Sequence, residues 1–104
     1  MAMNMQQVMQ QARKMQAQLA EAQEKLKDLE VSASAGGGMV KVTASGDGVI
    51  KSITIDPEAL DPEDVDLIQD TILAAVNDAL NSAQELSNRQ LGAITGGMGM
   101  PGMF

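Results

Sequence analysis

The stretch VSASAGGGMVKVTASGDGVIKSITI, residues 31–55, decides how this chain folds. Val31, Ala33 and Ala35 alternate with Ser32 and Ser34, Gly36-Gly37-Gly38 interrupts, and Met39–Ser45 and Val49–Ile55 flank Gly46-Asp47-Gly48. Period two is the mark of a half-buried strand, and glycine clusters between such runs mark hairpins. Register tests the assignment. With Gly37-Gly38 as a two-residue turn, Ala35 faces Val40 and Ala33 faces Val42. With Asp47-Gly48 as the second turn, Val42 faces Ile53, Val40 faces Ile55 and Ala44 faces Lys51. Both registers gather Ala33, Ala35, Val40, Val42, Ile53 and Ile55 on one face and leave Lys41, Thr43, Ser45, Ser52 and Thr54 with Ile50 on the other. A three-residue turn would oppose Lys41 to Ile53 and mix the faces. The expectation is a three-stranded antiparallel meander with one apolar side.

Outward from the meander the period changes. Residues 4–30 contain no Gly or Pro, and good helix formers dominate. Met5, Val8, Ala12, Met15, Leu19, Ala22, Leu26 and Leu29 follow a 3-4-3-4-3-4-3 spacing, an a/d seam of the kind that packs helix on helix. About 26 helical residues at a rise of ~1.5 Å make a rod of about 39 Å, too long for a domain of this size to cover. Part of the seam must therefore meet another long helix, and a homodimer with Met5, Val8, Ala12, Met15 and Leu19 in its interface is expected. On the other side, Asp61 is the expected N-cap and Pro62 the first position of a second long helix over 62–90. Its stripe is Val65, Ile68, Ile72, Val76, Ala79, Ala83 and Leu86. From Gly92 the chain is rich in Gly and Met and carries no charge. The expected organisation is an α+β fold, helix–meander–helix with long coiled-coil-like helices, as one dimerising domain over 1–91 with a flexible tail over 92–104.

Composition excludes much. In 104 residues there is no Cys, His, Trp or Tyr and one aromatic residue, Phe104. Disulfides, zinc fingers, thiol nucleophiles, haem ligation and imidazole bases are excluded with them. No run approaches the ~18 apolar residues of a membrane span, and no basic region leads into an apolar block as in a signal peptide. The expectation is a small soluble cytoplasmic protein that is not an enzyme, with no cofactor and no small-molecule substrate. Asp61, Glu63, Asp64, Asp66 and Asp70 lack the ladder of a calcium loop, and their place at a helix start makes capping the better account. Neither glycine cluster ends in the Gly-Lys-Ser/Thr of a phosphate loop. Met1, Met3, Met5, Met9, Met98, Met100 and Met103 gather at the two ends, read as seam and tail composition.

The net charge of −7 is segregated. Residues 56–90 hold nine acids against Arg89 alone, whereas the first twenty residues hold Arg13 and Lys14 and no acid. Arg13 and Lys14 take b and c positions that point away from the seam, Lys27 shares the face of Arg13, and Lys41 lies on the polar side of the sheet. Charges this sparse ordinarily mark solvated faces of a coiled coil; a dimer doubles each of them, which leaves room for a polyanion partner despite the acidic whole. Base readout is expected to be poor, for want of a recognition helix set between phosphate anchors and of an aromatic wedge.

Four motifs add a resemblance. Met9-Gln10-Gln11-Ala12-Arg13-Lys14-Met15-Gln16, Gly36-Gly37-Gly38-Met39-Val40-Lys41-Val42-Thr43, Ile53-Thr54-Ile55-Asp56-Pro57-Glu58-Ala59-Leu60 and the ending Gly99-Met100-Pro101-Gly102-Met103-Phe104 occur in an order that resembles the YbaB/EbfC family of nucleoid-associated proteins. The resemblance implies a helix–three-strand–helix fold, a tweezers-shaped homodimer, and duplex DNA bound by helical arms to help organise the nucleoid or modulate gene expression, without cofactor or catalysis. It carries DNA contact onto Arg13 and Lys14, then Lys25, Lys27 and Arg89. The other reading is a coiled-coil adaptor or chaperone-like module similar to prefoldin, which binds protein and not DNA.

Overall fold

A computed structural model describes residues 4–96 of the chain. The order is α1 (Met5–Asp28), β1 (Glu30–Ala35), β2 (Val40–Ser45), β3 (Ile50–Ile55), a single 3-10 turn at Pro57–Ala59, and α2 (Val65–Gly96). The strands form one antiparallel sheet in the order β1-β2-β3, as expected. Asn4 caps α1 by accepting the Gln6 amide at 2.9 Å, and one residue, Leu29, separates the helix from β1.

The first hairpin has the expected register, with Ala35 opposite Val40 and Ala33 opposite Val42. Gly37 and Gly38 sit at φ +66° and +94°, and the Met39 amide donates to the Gly36 carbonyl across them at 3.3 Å. Two successive left-handed residues match strand twist, and glycine adopts them without a Cβ clash.

The second hairpin departs from expectation near its turn. Its loop has three residues, Gly46-Asp47-Gly48, closed by Ser45 N–H to Val49 O at 2.8 Å and Gly48 N–H to Ser45 O at 2.9 Å. Ala44 therefore pairs with Ile50 and not with Lys51. A β-bulge at Lys51 absorbs the extra residue, so that Thr43–Ser52, Val42–Ile53 and Val40–Ile55 recover the register that alternation requires. The bulge moves Ile50 onto the apolar face, where it packs against the core. Ser45, expected on the solvent face, is buried; its hydroxyl donates to the Asp47 carboxylate and accepts the Val49 amide at 3.2 Å.

Helix α2 starts later and ends later than its sequence pattern indicates. Its N-cap is Asp64, which accepts the Leu67 amide at 3.3 Å, while Asp61 closes the preceding turn by accepting the Glu63 amide at 3.0 Å. At the far end the helix runs through Gly92 to Gly96. A helical glycine costs about 1 kcal/mol, and beyond it Ala93 is exposed and Ile94 half-buried. Residues 92–96 are thus helical, and the rest of the expected tail, 97–104, lies outside the described residues.

The core lies between α2 and the sheet. Val40, Val42 and Ala44 meet Ala75 and Ala79, all without solvent exposure, and Ala83 continues the row. Small side chains at four-residue spacing let the helix approach the strands closely, and Thr71 begins the same row. The expected stripe residues Ile68, Ile72, Val76 and Leu86 flank it half-buried, whereas Val65 is exposed. Helix α2 crosses β1 and β2 and scarcely touches β3, so Ile53 keeps 47% exposure on the apolar face.

The junction at Gly46 is the tightest point. A Cβ there would stand 2.8 Å from the Leu26 carbonyl and 3.3 Å from a Leu86 methyl, and the Gly46 amide donates to Leu29 O at 2.9 Å. Gly46→Ala must push α1 away from the hairpin. A loss of about 1–3 kcal/mol is expected, measured by urea unfolding; an unchanged midpoint would mean that α1 yields freely.

Candidate nucleic-acid interface

Helices α1 and α2 run antiparallel where they meet, and together they carry the chain well beyond the sheet. The molecule measures 72 × 28 × 15 Å with a radius of gyration of 20.1 Å, against about 13 Å for a compact chain of this length. The long helix that part of the α1 seam meets is the chain's own α2. Ala22 and Leu26 are buried, Met15 and Leu19 half-buried, and Met5, Val8 and Ala12 exposed, with Met5 at 72%. Above Ala22 the helices diverge into a groove of about 650 Å³, floored by Met15, Ala93 and Ile94 and edged by Lys14 and Gln90. This pair of helices is an arm.

The expected basic residues divide by environment. Arg13 and Lys14 are exposed on the arm and, among the described residues, form no ion pair. Lys25 lies 3.7 Å from Glu21, and Lys27 donates to Glu24 at 3.1 Å. The hydrogen bond it donates to Glu24 raises the Lys27 pKa above its ordinary value, so the ammonium stays charged but locally neutralised. Exposed pairs of this kind add little stability; their consequence here is that Lys25 and Lys27 offer less field to a polyanion than Arg13 and Lys14 do. Arg89 is exposed on α2, beside the groove residue Gln90, and also has no ion pair among the described residues. The five residues are not one cluster.

The acids occupy the opposite end. The first half of α2 lies on the sheet, with Thr71 against the Gly36 turn. From Asp70 to Ile94 the helix rises about 36 Å, several Debye lengths of ~8 Å, so most of the acidic stretch stands away from the arm tip. Among the described residues no group of three or more His, Cys, Asp or Glu is placed to hold a metal ion, and no helix is long and apolar enough to cross a membrane.

Two features escaped the sequence pattern. Gln7, Gln10 and Gln11 line a concavity on α1 together with Lys14, a placement legible in their i, i+3, i+4, i+7 spacing. On the flank of α2 that looks towards β3, Leu73 is 60% exposed and Leu80 is exposed beside the Gly46–Gly48 turn. Ile53, on the strand that α2 scarcely touches, is likewise left exposed. The 3-4 spacing of Leu73 and Leu80 about Val76 was legible, but it competes with the alanine row for the role of core stripe.

The sequence profile described as the YbaB/EbfC DNA-binding family matches residues 1–98. A nucleoid-associated protein of Saccharopolyspora erythraea is 50% identical over 109 residues, covering 96% of this chain and 94% of that protein. One from Moorella thermoacetica is 54% identical over 99 residues, covering 95% of each. In the crystal structure of an uncharacterized protein from Helicobacter pylori the same fold recurs, with a TM-score of 0.75 and 30% identity over 90% of this chain and 97% of that one.

Proposed function

The chain belongs to the YbaB/EbfC DNA-binding family, and on that premise we propose that it is a homodimeric nucleoid-associated protein of the cytoplasm. In this reading it grips duplex DNA between its helical arms, largely without regard to sequence, and helps to organise the nucleoid or modulate gene expression. The observation that carries the reading is the arm itself: Arg13 and Lys14 stand exposed and uncompensated on a helix whose first acid is Glu21, at the end remote from the acidic half of α2.

The dimer is proposed to close over the exposed Ile53, Leu73 and Leu80, because α2 leaves much of β3 open and a two-fold axis brings the same apolar side chains of a second copy against them. The lower seam of α1 is already used within the chain, and Met5, Val8 and Ala12 remain an apolar edge along the arm. Two copies present four uncompensated cations from Arg13 and Lys14. A log–log salt slope of about −3.6 is expected if all four meet phosphates. Duplex titration at two salt concentrations measures it; a slope near zero would favour the protein-binding adaptor.

A further inference from the structure

Gln7, Gln10, Gln11 and Lys14 occupy one exposed face of α1 and by themselves line a concavity of about 380 Å³. The groove between α1 and α2 reaches along α1 as far as Gln11, and the depression that continues from it, sharing Gln11 and Lys14, is lined among the described residues by α1. A single helix is about 10–12 Å across, the width that the major groove of B-DNA admits. The solvated face of a long helix ordinarily carries charge pairs, as this helix does further on at Glu21–Lys25 and Glu24–Lys27. Here it carries three primary amides and an ammonium.

Those amides have a definite chemistry. A glutamine side chain offers one acceptor oxygen beside an NH2 donor. The major-groove edge of adenine offers the complement, the N6 amino donor beside the N7 acceptor, whereas guanine offers two acceptors and leaves the amide oxygen unmatched. Lys14 sits within the same face, one turn on from Gln10 and Gln11, and Arg13, about 100° round from it, flanks the face on one side, where it can hold a phosphate of a groove so entered. We propose that Gln7, Gln10 and Gln11 read adenine edges in the major groove, adding a preference for A·T-rich duplex to an otherwise electrostatic grip. This inference rests on the duplex-binding reading above.

The test uses the full chain in competition titrations against three duplexes of equal length: one of A·T pairs, one of G·C pairs, and the A·T duplex with 7-deazaadenine, which keeps Watson–Crick pairing but lacks N7. The A·T duplex should bind roughly tenfold more tightly than the G·C duplex, within the range of one bidentate contact, and the 7-deaza duplex should lose most of that advantage. In the Gln7→Ala, Gln10→Ala, Gln11→Ala variant, checked for helicity by circular dichroism, the ratio should fall to about one, since alanine preserves the helix while deleting the amides. Equal binding of all three duplexes by the parent overturns the inference but leaves duplex binding intact. So does an A·T preference that survives 7-deaza substitution or the triple variant, which would assign the readout to groove shape or to other residues. Failure of the parent to bind any duplex at low salt overturns the duplex-binding reading itself.

Discussion

Replacing Arg13 and Lys14 together by glutamate is expected to abolish duplex binding at modest salt and to leave the protein's sedimentation mass and helicity unchanged. Both side chains are exposed on α1, so neither supports the core. Each copy changes by four charge units, and a dimer would present four carboxylates where four cations stood. Four phosphate contacts make affinity fall by roughly 150-fold over a fourfold rise in salt; the variant has no such contacts to lose and should show neither the affinity nor the slope. Filter binding or fluorescence anisotropy at two salt concentrations measures both. Parental binding by this variant would remove the α1 face as the DNA surface and turn attention to Arg89 and Lys41.

The second large effect concerns assembly. Leu73→Asp with Leu80→Asp is expected to convert the protein to a monomer at micromolar concentration while its far-ultraviolet spectrum persists. Leu73 and Leu80 belong to the solvent-facing flank of α2 and not to the alanine row, so the intrachain core does not depend on them. Four leucines brought together across a two-fold axis contribute about 6–12 kcal/mol, enough to account for a stable dimer. Four carboxylates in their place would have to be desolvated without partners. Sedimentation equilibrium reads the mass, and DNA affinity should fall with it because a monomer presents half the cations. The control is Leu19→Asp, half-buried against the arm. If Leu19→Asp dissociates the dimer and the α2 variant does not, the α1 seam is the interface and the exposed leucines of α2 are not.

Much of the architecture was legible because alternation and heptad spacing are long-range signals repeated over many residues. The whole β1–β2 register followed from two glycines. What was not legible is instructive in each case. Alternation predicts which residues want the same face but not how a turn is closed, so the three-residue loop and the bulge at Lys51 were invisible; either solution keeps Val42 opposite Ile53. Two aspartates three apart both satisfy the pattern of an N-cap, and only the hydrogen bonds distinguish Asp64, which caps α2, from Asp61, which closes a turn. The expected stripe of α2 holds Ala79 and Ala83 of the buried row but not Thr71 and Ala75, because hydrophobicity favours Val65 and Ile72 whereas close approach to a sheet favours alanine. At the candidate site, Arg13 and Lys14 stood out by charge. The neutralisation of Lys25 and Lys27 was open to reading from their spacing to Glu21 and Glu24. The glutamines carry no charge to draw notice, and only their common face gives them meaning.

The junction at Gly46 also sets mechanical terms. Leu29 alone links α1 to β1, and Leu26, Leu86 and Gly46 close upon one another there, so the arm is a lever with a clamped fulcrum and not a tethered flail. From Leu26 to Met5 is about 31 Å of helix. A tilt of about 5° at the fulcrum, of the order that one intruding methyl could impose, would swing the tip by about 2.7 Å over that length. In the proposed dimer the opening between two such levers would thus be gauged at their roots, far from the duplex they are proposed to hold. A methyl added at position 46 would miscalibrate the gauge as well as loosen the fold.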